Sequence, residues 1–258
     1  MTRLRADQLL LARGLVESRA RAQALVMAGL VFAGGRKVEK PGTMLPAETP
    51  LEVRGRDHPW VSRGGVKLAH ALDHFVLSAE GLVGLDIGAS TGGSTDVLLS
   101  RGAARVYAVD VGTGQLAWKL RTDPRVVVLE QVNARELTTG HVPEPVDLVT
   151  CDASFISLAK VLARPLAFAR PGALLVVLVK PQFEAERHEV GKGGVVRDPE
   201  VHARICEAAA AWVDSQGWQP LGLVPSPITG PEGNVEFLLA ARKRKEAAES
   251  PPPPPQRI

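Results

Sequence analysis

The sequence predicts an α/β protein, with a mostly parallel seven-stranded sheet after a small N-terminal α+β domain. Three observations lead to this fold class. Short apolar runs alternate with helical patterns over the larger, second part of the chain, which is typical of a doubly wound sheet. A glycine-rich turn follows the first run, at the end of a strand where such sheets bind ligands. Only PITGPEG separates the last two runs, so they must pair antiparallel.

Composition and charge fit a globular protein with a basic N-terminal part. The 258 residues are 45% hydrophobic and 23% charged, which is ordinary for a globular chain. The first 63 residues carry 11 Lys or Arg against 6 Asp or Glu, whereas the remainder carries 20 against 22. This asymmetry predicts an anion-binding module joined to an enzyme-sized body. A solvated charged surface is the alternative interpretation.

The cysteines and the apolar runs indicate the cellular compartment. Cys151 and Cys206 show no CxxC spacing, so neither a disulfide framework nor a zinc site is expected. Cys151 lies in an apolar run, which favours a core position over a nucleophilic role. No apolar run approaches the ~18 residues of a membrane span, and the first residues do not resemble a signal peptide. We therefore expect a cytoplasmic protein with no membrane partner.

The predicted domains are residues 1–54, a linker at 55–65, a larger domain at 66–242 and a disordered tail at 243–258. The first domain should contain two short helices, a strand–turn–strand at Gly34 and Gly35, and a further strand in TPLEVRG. The first helix should bury Leu9, Leu10 and Leu11 and end near Gly14. Ser18 should cap the second helix. The apolar side of the second helix is expected to carry Ala20, Ala24, Leu25 and Met27.

The glycine-rich turn of the larger domain has the spacing D-x-G-x-x-x-G-G, from Asp86 to Gly93. The predicted strands are residues 81–87, 104–111, 125–131, 146–152, 173–180, 219–226 and 234–242. Small residues let the backbone approach a ligand closely. Asp110 closes the second strand and could accept both hydroxyls of a bound ribose. Asn133 follows the third strand and could face a nucleobase.

Four further polar residues should converge on the same edge of the sheet. Asp152 and Lys180 close the fourth and fifth strands, and Glu236 begins the antiparallel last strand, so all three belong to one edge. Lys67 lies on the helix before the first strand and can reach over this edge. A lysine directly after LLVVLV is costly to bury without a partner. Taken one at a time, each residue also has an ordinary structural interpretation, such as a loop cap or an exposed charge.

These motifs resemble a known family. The turn resembles the nucleoside-binding turn of class I S-adenosylmethionine methyltransferases, which have a Rossmann-like fold. The order Lys–Asp–Lys–Glu is similar to the tetrad of FtsJ/RrmJ-like ribose 2′-O-methyltransferases. Residues 2 to about 54 resemble an S4 RNA-binding domain. Together with SRGGVKL, DIGASTGG, CDASFISL, VKPQFE and GPEGNVEF, these features resemble the TlyA family over residues 2–242.

The resemblance implies S-adenosyl-L-methionine as cofactor, ribosomal RNA or ribosomal subunits as partner, and no metal. The reaction implied is 2′-O-methylation of cytidine in 16S, and in some members also 23S, ribosomal RNA. The implied catalytic residues are Lys67, Asp152, Lys180 and Glu236. The implied cofactor-binding residues are Asp86, Gly88, Ala89, Ser90, Thr91, Gly92, Gly93, Asp110, Val111, Asn133 and Asp152. The implied RNA-binding residues are Arg3, Arg5, Arg13, Arg19, Arg21 and Arg63.

The chemistry of the reaction suggests a role for each member of this tetrad, and two roles for Lys180 stay open. Lys180 is the best candidate to hold and activate the ribose hydroxyl, either as a base or as an electrostatic clamp. Burial beside Lys67 would favour a neutral amine, whereas Asp152 would favour the charged form. Glu236 would orient Lys67 or bind the ribose. His58, Trp60 and Arg63 in the linker could signal RNA binding, or simply pack between domains.

Three other functions compete with this one. A nicotinamide-dependent oxidoreductase would need a GxGxxG turn, which is absent from the sequence. A non-catalytic RNA-binding or ribosome-assembly protein could keep the fold, although the intact tetrad argues against it. A haemolysin-like activity has been attached to proteins of the TlyA family, but the sequence contains no amphipathic hairpin or spanning segment that would form a pore. The sequence specifies neither the target nucleotide nor the oligomeric state.

Overall fold

The structure, a computed structural model, describes residues 3–13, 15, 16, 18–53 and 58–245. The chain divides into two compact units, residues 1–59 and 60–258. The predicted helix end at Gly14 and residues 246–258 of the predicted tail lie outside the described residues. Across the described part of the chain, no helix combines the length and the apolar character needed to cross a bilayer.

The first unit is a small α+β domain, as the sequence predicts. Its elements are β1 (Arg3–Arg5), α1 (Ala6–Ala12), α2 (Arg19–Met27), β2 (Val31–Ala33), β3 (Arg36–Lys37), β4 (Met44–Pro46) and β5 (Leu51–Val53). Strand β2 pairs antiparallel with β3 and β5, while β1 pairs antiparallel with β4. The two very short strands β1 and β4 were not expected, because three residues give too little alternation to read as a strand.

The predicted helix cap in this unit is confirmed, but the predicted apolar face of α2 is wrong. The Ser18 hydroxyl accepts a hydrogen bond from the Arg21 amide, which satisfies a free donor at the helix start. The buried residues of α2 are Ala22 and Val26, four positions apart, whereas Met27 is 74% exposed. Leu11 of α1 is also exposed, unlike Leu9 and Leu10. Alanines and a flexible methionine occur on all sides of α2, so the helical period alone does not identify the buried stripe.

The second unit contains the larger sheet and its helices. Its helices are α3 (Arg63–His74), α4 (Gly93–Ser100), α5 (Trp118–Arg121), α6 (Leu158–Leu162), α7 (Pro181–Glu184) and α8 (Pro199–Ser215). Its strands are β6 (Val83–Ile87), β7 (Arg105–Asp110), β8 (Val126–Glu130), β9 (Val146–Cys151), β10 (Ala169–Val179), β11 (Trp218–Pro225) and β12 (Phe237–Lys243).

Within the described residues, seven strands form one sheet in the order β11-β12-β10-β9-β6-β7-β8. Strands β6 to β10 pair parallel, and β12 pairs antiparallel with both β10 and β11. The predicted fold class is therefore confirmed, including the antiparallel last strand. The carboxyl ends of β6, β7, β9 and β10 share one edge of the sheet with the amino end of β12, which we call the catalytic edge.

Buried side chains cover both faces of this sheet. One cluster includes Leu85, Val149 and Trp218, and the other includes Leu98, Val106 and Leu148. Helix α3 begins at Arg63, three residues before the predicted domain start at 66, and β12 continues one residue beyond the predicted end at 242. The SRGG segment was expected to be linker because glycines disfavour helix interiors. The predicted domain bounds otherwise stay a prediction.

Candidate active site

A large cavity opens at the catalytic edge, beside the ends of β6, β7 and β9. It has a volume of about 450 Å³ and is lined on one side by residues of the glycine-rich turn and on the other by the loop after β9. Of the predicted cofactor-binding residues, Gly88, Ser90, Asp110, Val111, Asn133 and Asp152 line it. A cavity of this size, with mixed apolar and polar walls, is suited to a nucleoside-sized ligand.

Asp110 presents its carboxylate to this cavity from the end of β7. The Ser90 amide donates to Oδ2 at 2.8 Å and the Gly112 amide donates to Oδ1 at 2.7 Å. These two bonds fix the orientation of the carboxylate and leave each oxygen with a further lone pair. Two adjacent acceptors held in this way suit the two hydroxyls of a ribose, and the predicted role of Asp110 stays a prediction.

Asp86 differs from Asp110, because it lies beneath the cavity rather than in its wall. Its side chain is buried and accepts hydrogen bonds from the hydroxyls of Thr95, at 2.7 Å, and Thr150, at 2.8 Å. Burial raises the pKa of Asp86 to about 6, against the opposing effect of these two donors. Asp86 therefore ties β6 to α4 and β9, and its predicted contact with the cofactor stays a prediction.

The glycines of the turn are required for different steric reasons at different positions. Gly88 has a φ of 76° and a Cβ at this position would lie 3.0 Å from the backbone of Ala153, so only glycine fits beside the loop after β9. Gly93 lets α4 approach α3, because a Cβ there would lie 2.7 Å from the Gly65 amide. Gly92 packs against Leu120. Ala89, Thr91, Gly92 and Gly93 do not line the cavity.

The loop after β9 forms the second wall, and sequence reasoning did not assign it to the cavity. Ala153, Ser154, Phe155 and Ile156 all line the cavity, together with Gln115 and Arg135 from other loops. Phe155 has a positive φ of 65° and an exposed ring that packs 5.1 Å from the ring of Phe183. The signal available in the sequence was the CDASFISL motif, which continues past the acid that we singled out.

Lys180 and Asp152 meet at the edge of this cavity, as predicted. Lys180 Nζ lies 2.6 Å from Asp152 Oδ1, and it donates hydrogen bonds to the main-chain oxygen of Asp152 and to Ser154 Oγ. The lysine is buried, while Asp152 is partly exposed and lines the cavity. Three oxygens therefore hold the amine directly beside the space where a cofactor would lie.

Lys67 links Glu236 to Asp152. Its Nζ lies 2.6 Å from Glu236 Oε2 and 3.7 Å from Asp152 Oδ2. Glu236 directly precedes β12, and its side chain is fully buried. The other carboxylate oxygen, Oε1, accepts no hydrogen bond from the residues that the structure describes. The four predicted residues thus form one chain of contacts, in the order Lys180, Asp152, Lys67 and Glu236.

Three further candidates lie near this edge, namely Cys151, Trp60 and Arg63. Burial raises the pKa of the Cys151 thiol to about 12, which is the opposite of what a nucleophilic cysteine needs. Trp60 packs over Gly65 at the start of α3. Arg63 is exposed and donates a hydrogen bond to the carbonyl of Thr229 at 2.7 Å, close in sequence to Glu236.

In the first unit, a buried carboxylate organises two of the predicted RNA-binding arginines. Asp7 is fully buried, and it accepts hydrogen bonds from Arg5, Arg19 and Gln23. The side-chain hydrogen bond from Arg5 is the main reason that the pKa of Asp7 is well below its usual value. Sequence reasoning missed Asp7, because an acid in the first turn of a helix usually remains solvated.

The other predicted arginines of this unit are placed differently. Arg3 donates to the Met44 carbonyl, and Arg13 donates to the Thr49 and Ala47 carbonyls. These contacts hold the arginine side chains against the β4–β5 region while leaving Arg3 and Arg13 exposed. Arg21 is partly exposed in the first turn of α2.

The geometry of the second unit fits S-adenosylmethionine. The ribose would meet Asp110, the amino-acid part would lie along Gly88 and Ser90, and Asn133 would stand near the base. Gly88 brings the turn close to the backbone of Ala153, where a larger residue would clash. Such a cofactor supplies an electrophilic methyl group. Asp152 borders both this cavity and the Lys180 amine, so an acceptor oxygen held by Lys180 would face the cofactor site.

Comparisons with known proteins agree with this geometry. Residues 60–243 match the family model of the FtsJ-like methyltransferase, and residues 4–49 match that of the S4 domain. The chain is 50% identical to "16S/23S rRNA (cytidine-2'-O)-methyltransferase TlyA" of Mycobacterium tuberculosis, over 93% of this chain and 90% of the relative. It is 47% identical to "Putative rRNA methyltransferase YqxC" of Bacillus subtilis, over 91% and 84% of the two chains.

A solved structure has a similar fold over almost the whole chain. The structure described as "Putative hemolysin from Streptococcus thermophilus" is 44% identical and superposes with a TM-score of 0.77, covering 95% of this chain and 90% of that one. Both family models, the relatives and this structure cover the two units in the same order. The chain therefore belongs to the TlyA family, in which an S4 domain precedes an FtsJ-like domain that transfers a methyl group from S-adenosylmethionine.

Proposed function

We propose that this chain methylates the 2′ oxygen of a cytidine in ribosomal RNA of the small subunit, with large-subunit RNA as a second substrate. The observation that carries the proposal is the contact chain from Lys180 through Asp152 and Lys67 to Glu236, in which Asp152 lines the cofactor cavity. The relative from Mycobacterium tuberculosis, named as a 16S/23S cytidine-2′-O-methyltransferase, supports the same substrate.

Each member of the tetrad has a role that follows from its contacts. A ribose hydroxyl is a weak nucleophile, so its oxygen must be oriented and stabilised as it attacks the methyl group. The O–CH₃ bond would form as the S–CH₃ bond breaks, S-adenosylhomocysteine would leave, and the hydroxyl proton would pass to water. Lys180 provides a hydrogen-bond donor and a positive charge at the cavity rim, and we assign it as the group that holds the attacking oxygen. Asp152 fixes the position of Lys180. Glu236 fixes Lys67, whose amine lies between two carboxylates.

The cofactor-binding residues follow from the cavity wall. We assign Asp110 to the ribose, Gly88 and Ser90 to the amino-acid part, and Val111 and Asn133 to the adenine. Asp86 would support the turn through its bonds to Thr95 and Thr150, and Ala89, Thr91, Gly92 and Gly93 would set the shape of the turn without lining the cavity. The predicted domain bounds, 1–54 for RNA binding and 66–242 for catalysis, belong to the same proposal.

The first unit would supply affinity for RNA phosphates. Five arginines were predicted for this role, and two of them, Arg5 and Arg19, are held in place by one buried carboxylate. Pre-ordered guanidinium groups lose less side-chain entropy when they bind a phosphate. A cytidine that reaches Lys180 must leave a base-paired helix, so we expect the target in an opened or flipped conformation. The reaction would take place in the cytoplasm, where ribosomal RNA is available.

The test is to map 2′-O-methyl marks in ribosomal RNA from cells with the chain, without it, and with Lys180→Ala. We expect one or more marked cytidines that require the wild-type chain.

In a purified assay, Lys180→Ala should lower the rate of methyl transfer by about 10²–10⁴-fold while S-adenosylhomocysteine still binds. Lys160→Ala, at an exposed lysine of α6, is the matched control. RNA binding without any methyl transfer would instead favour a non-catalytic RNA-binding protein. Nothing in the described residues favours a lytic activity.

A further inference from the structure

A short turn beside Glu236 carries two cations that the proposed reaction does not yet use. Residues 191–197 read GKGGVVR and connect α7 to α8. Lys192 and Arg197 are both exposed, and within the described residues neither forms an ion pair. The larger unit has no excess of positive charge, and these two neighbouring cations are available to an anionic ligand.

The turn is rigidly built at its base. Gly191 and Val195 form a β-bridge, in which the Gly191 amide donates to the Val195 carbonyl at 3.0 Å. Val195 and Val196 are buried. The exposed tip, Lys192 to Gly194, is therefore held on a fixed base rather than on a free loop. Arg197 stands next to Gly191, since a Cβ on that glycine would lie 3.5 Å from the guanidinium.

Asn234 joins this turn to the segment that carries Glu236. Its Oδ1 accepts from the Val196 amide at 3.2 Å, and its Nδ2 donates to the Gly194 carbonyl at 3.1 Å. The side chain is 3% exposed. Asn234 lies two residues before Glu236, whose carboxylate contacts Lys67. The position of the turn is thus tied to the catalytic edge by two hydrogen bonds.

The same segment is also contacted by a third cation. Arg63 donates to the Thr229 carbonyl, at the other end of the loop between β11 and β12. Arg63 and the turn are therefore anchored on residues 229–236, one near each end. These cations flank one loop at the catalytic edge, and Lys and Arg side chains are the usual contacts to nucleic-acid phosphates.

We propose that the turn 191–197 binds the phosphate backbone of the RNA strand next to the target nucleotide. Lys192 and Arg197 are the phosphate contacts, and Asn234 is the positioning residue that fixes their distance from the Lys67–Glu236 pair. This inference rests on the proposed RNA substrate and adds a second contact surface, in the catalytic unit itself.

The experiment compares the double variant Lys192→Ala/Arg197→Ala with the wild-type full-length chain. Loss of two phosphate contacts should weaken RNA binding about tenfold and reduce the slope of log K against log salt by about 1.4–1.8. Binding of S-adenosylhomocysteine and kcat at saturating RNA should be unchanged. The matched control is Arg242→Ala/Lys245→Ala, which removes two exposed charges near the opposite end of β12, ~20 Å from Glu236.

Asn234→Ala tests the positioning role separately. It should raise KM for RNA, and adding it to the double variant should cause no further rise, because both act through the turn. A double variant with the same RNA affinity and salt slope as the control variant would overturn the inference. In that case wild-type methylation would still stand, so the proposed function would survive. A wild-type chain that neither binds nor methylates RNA would overturn both.

Discussion

The carboxylate of Glu236 is fully buried and lies 2.6 Å from Lys67 Nζ, across 169 residues of sequence. Lys67 comes from α3, at the start of the second unit, and Glu236 directly precedes β12, at its end. The ion pair therefore joins α3, the first element of the second unit, to the start of β12, its last strand, at the catalytic edge.

Removing Lys67 alone should lower the free energy of unfolding by more than removing the charges of both partners. Lys67→Met leaves a buried carboxylate without its cation, which should destabilise the second unit by roughly 3–5 kcal/mol. Adding Glu236→Gln removes the uncompensated charge, so the double variant should lose at least about 1 kcal/mol less than the two single losses together. Urea unfolding of all three variants measures this coupling. Losses that add to within about 0.5 kcal/mol would show that the two groups do not stabilise each other.

Asp110→Asn should weaken cofactor binding with little effect on RNA affinity. The amide keeps one acceptor oxygen, but its NH₂ group would face a backbone amide, Ser90 or Gly112, that now donates to the carboxylate. Loss of charged hydrogen bonds costs about 1.5–3 kcal/mol, so we expect the Kd for S-adenosylhomocysteine to rise about 10–150-fold. Titration calorimetry measures it. Asp123→Asn, just before β8 at the opposite edge, is the control and should leave this Kd unchanged.

Asp86 should make the stability of the second unit fall as the pH rises from about 4 to about 6. Burial raises its pKa to about 6 in the folded chain, so over this range the folded state binds more protons than the unfolded state. Unfolding then releases protons and becomes easier at higher pH, by about 3 kcal/mol in total. Asp86→Asn should abolish this part of the pH dependence in urea unfolding. A wild-type profile that is flat or rising relative to the variant would contradict the assignment.

Asp7→Asn should lower the local stability of the first unit at neutral pH. The hydrogen bond from Arg5 holds the pKa of Asp7 below its unfolded value, so its stabilising contribution is present above about pH 4 and is lost as the pH falls. We expect faster amide hydrogen exchange in α1 and α2 of the variant at pH 7, with a smaller difference from wild type at lower pH. Exchange in β6 to β10 serves as the internal reference. Equal protection at pH 7 would show that Asp7 contributes nothing to this unit.

Much of the fold follows from local pattern. Apolar runs such as ALLVVLVK are long enough to read as buried strands, and the seven-residue connection PITGPEG leaves antiparallel pairing as the only geometry. The positions of Asp152 and Lys180 at one edge follow from parallel strand direction alone. Where the pattern is weak the prediction fails, as in α2, where small residues on every side hide the buried pair of Ala22 and Val26.

The sequence by itself determined the sheet and the edge at which Asp152, Lys180 and Glu236 meet, because strand direction and connection length are local properties. The tertiary structure decided which groups face the cavity and which support it: Asp110 is in the wall, whereas Asp86 is beneath, bonded to two threonines. It also supplied the partners of Asp7 and Asn234. These contacts join residues up to 40 positions apart in sequence, and no periodicity or spacing records which distant donor a buried acceptor will meet.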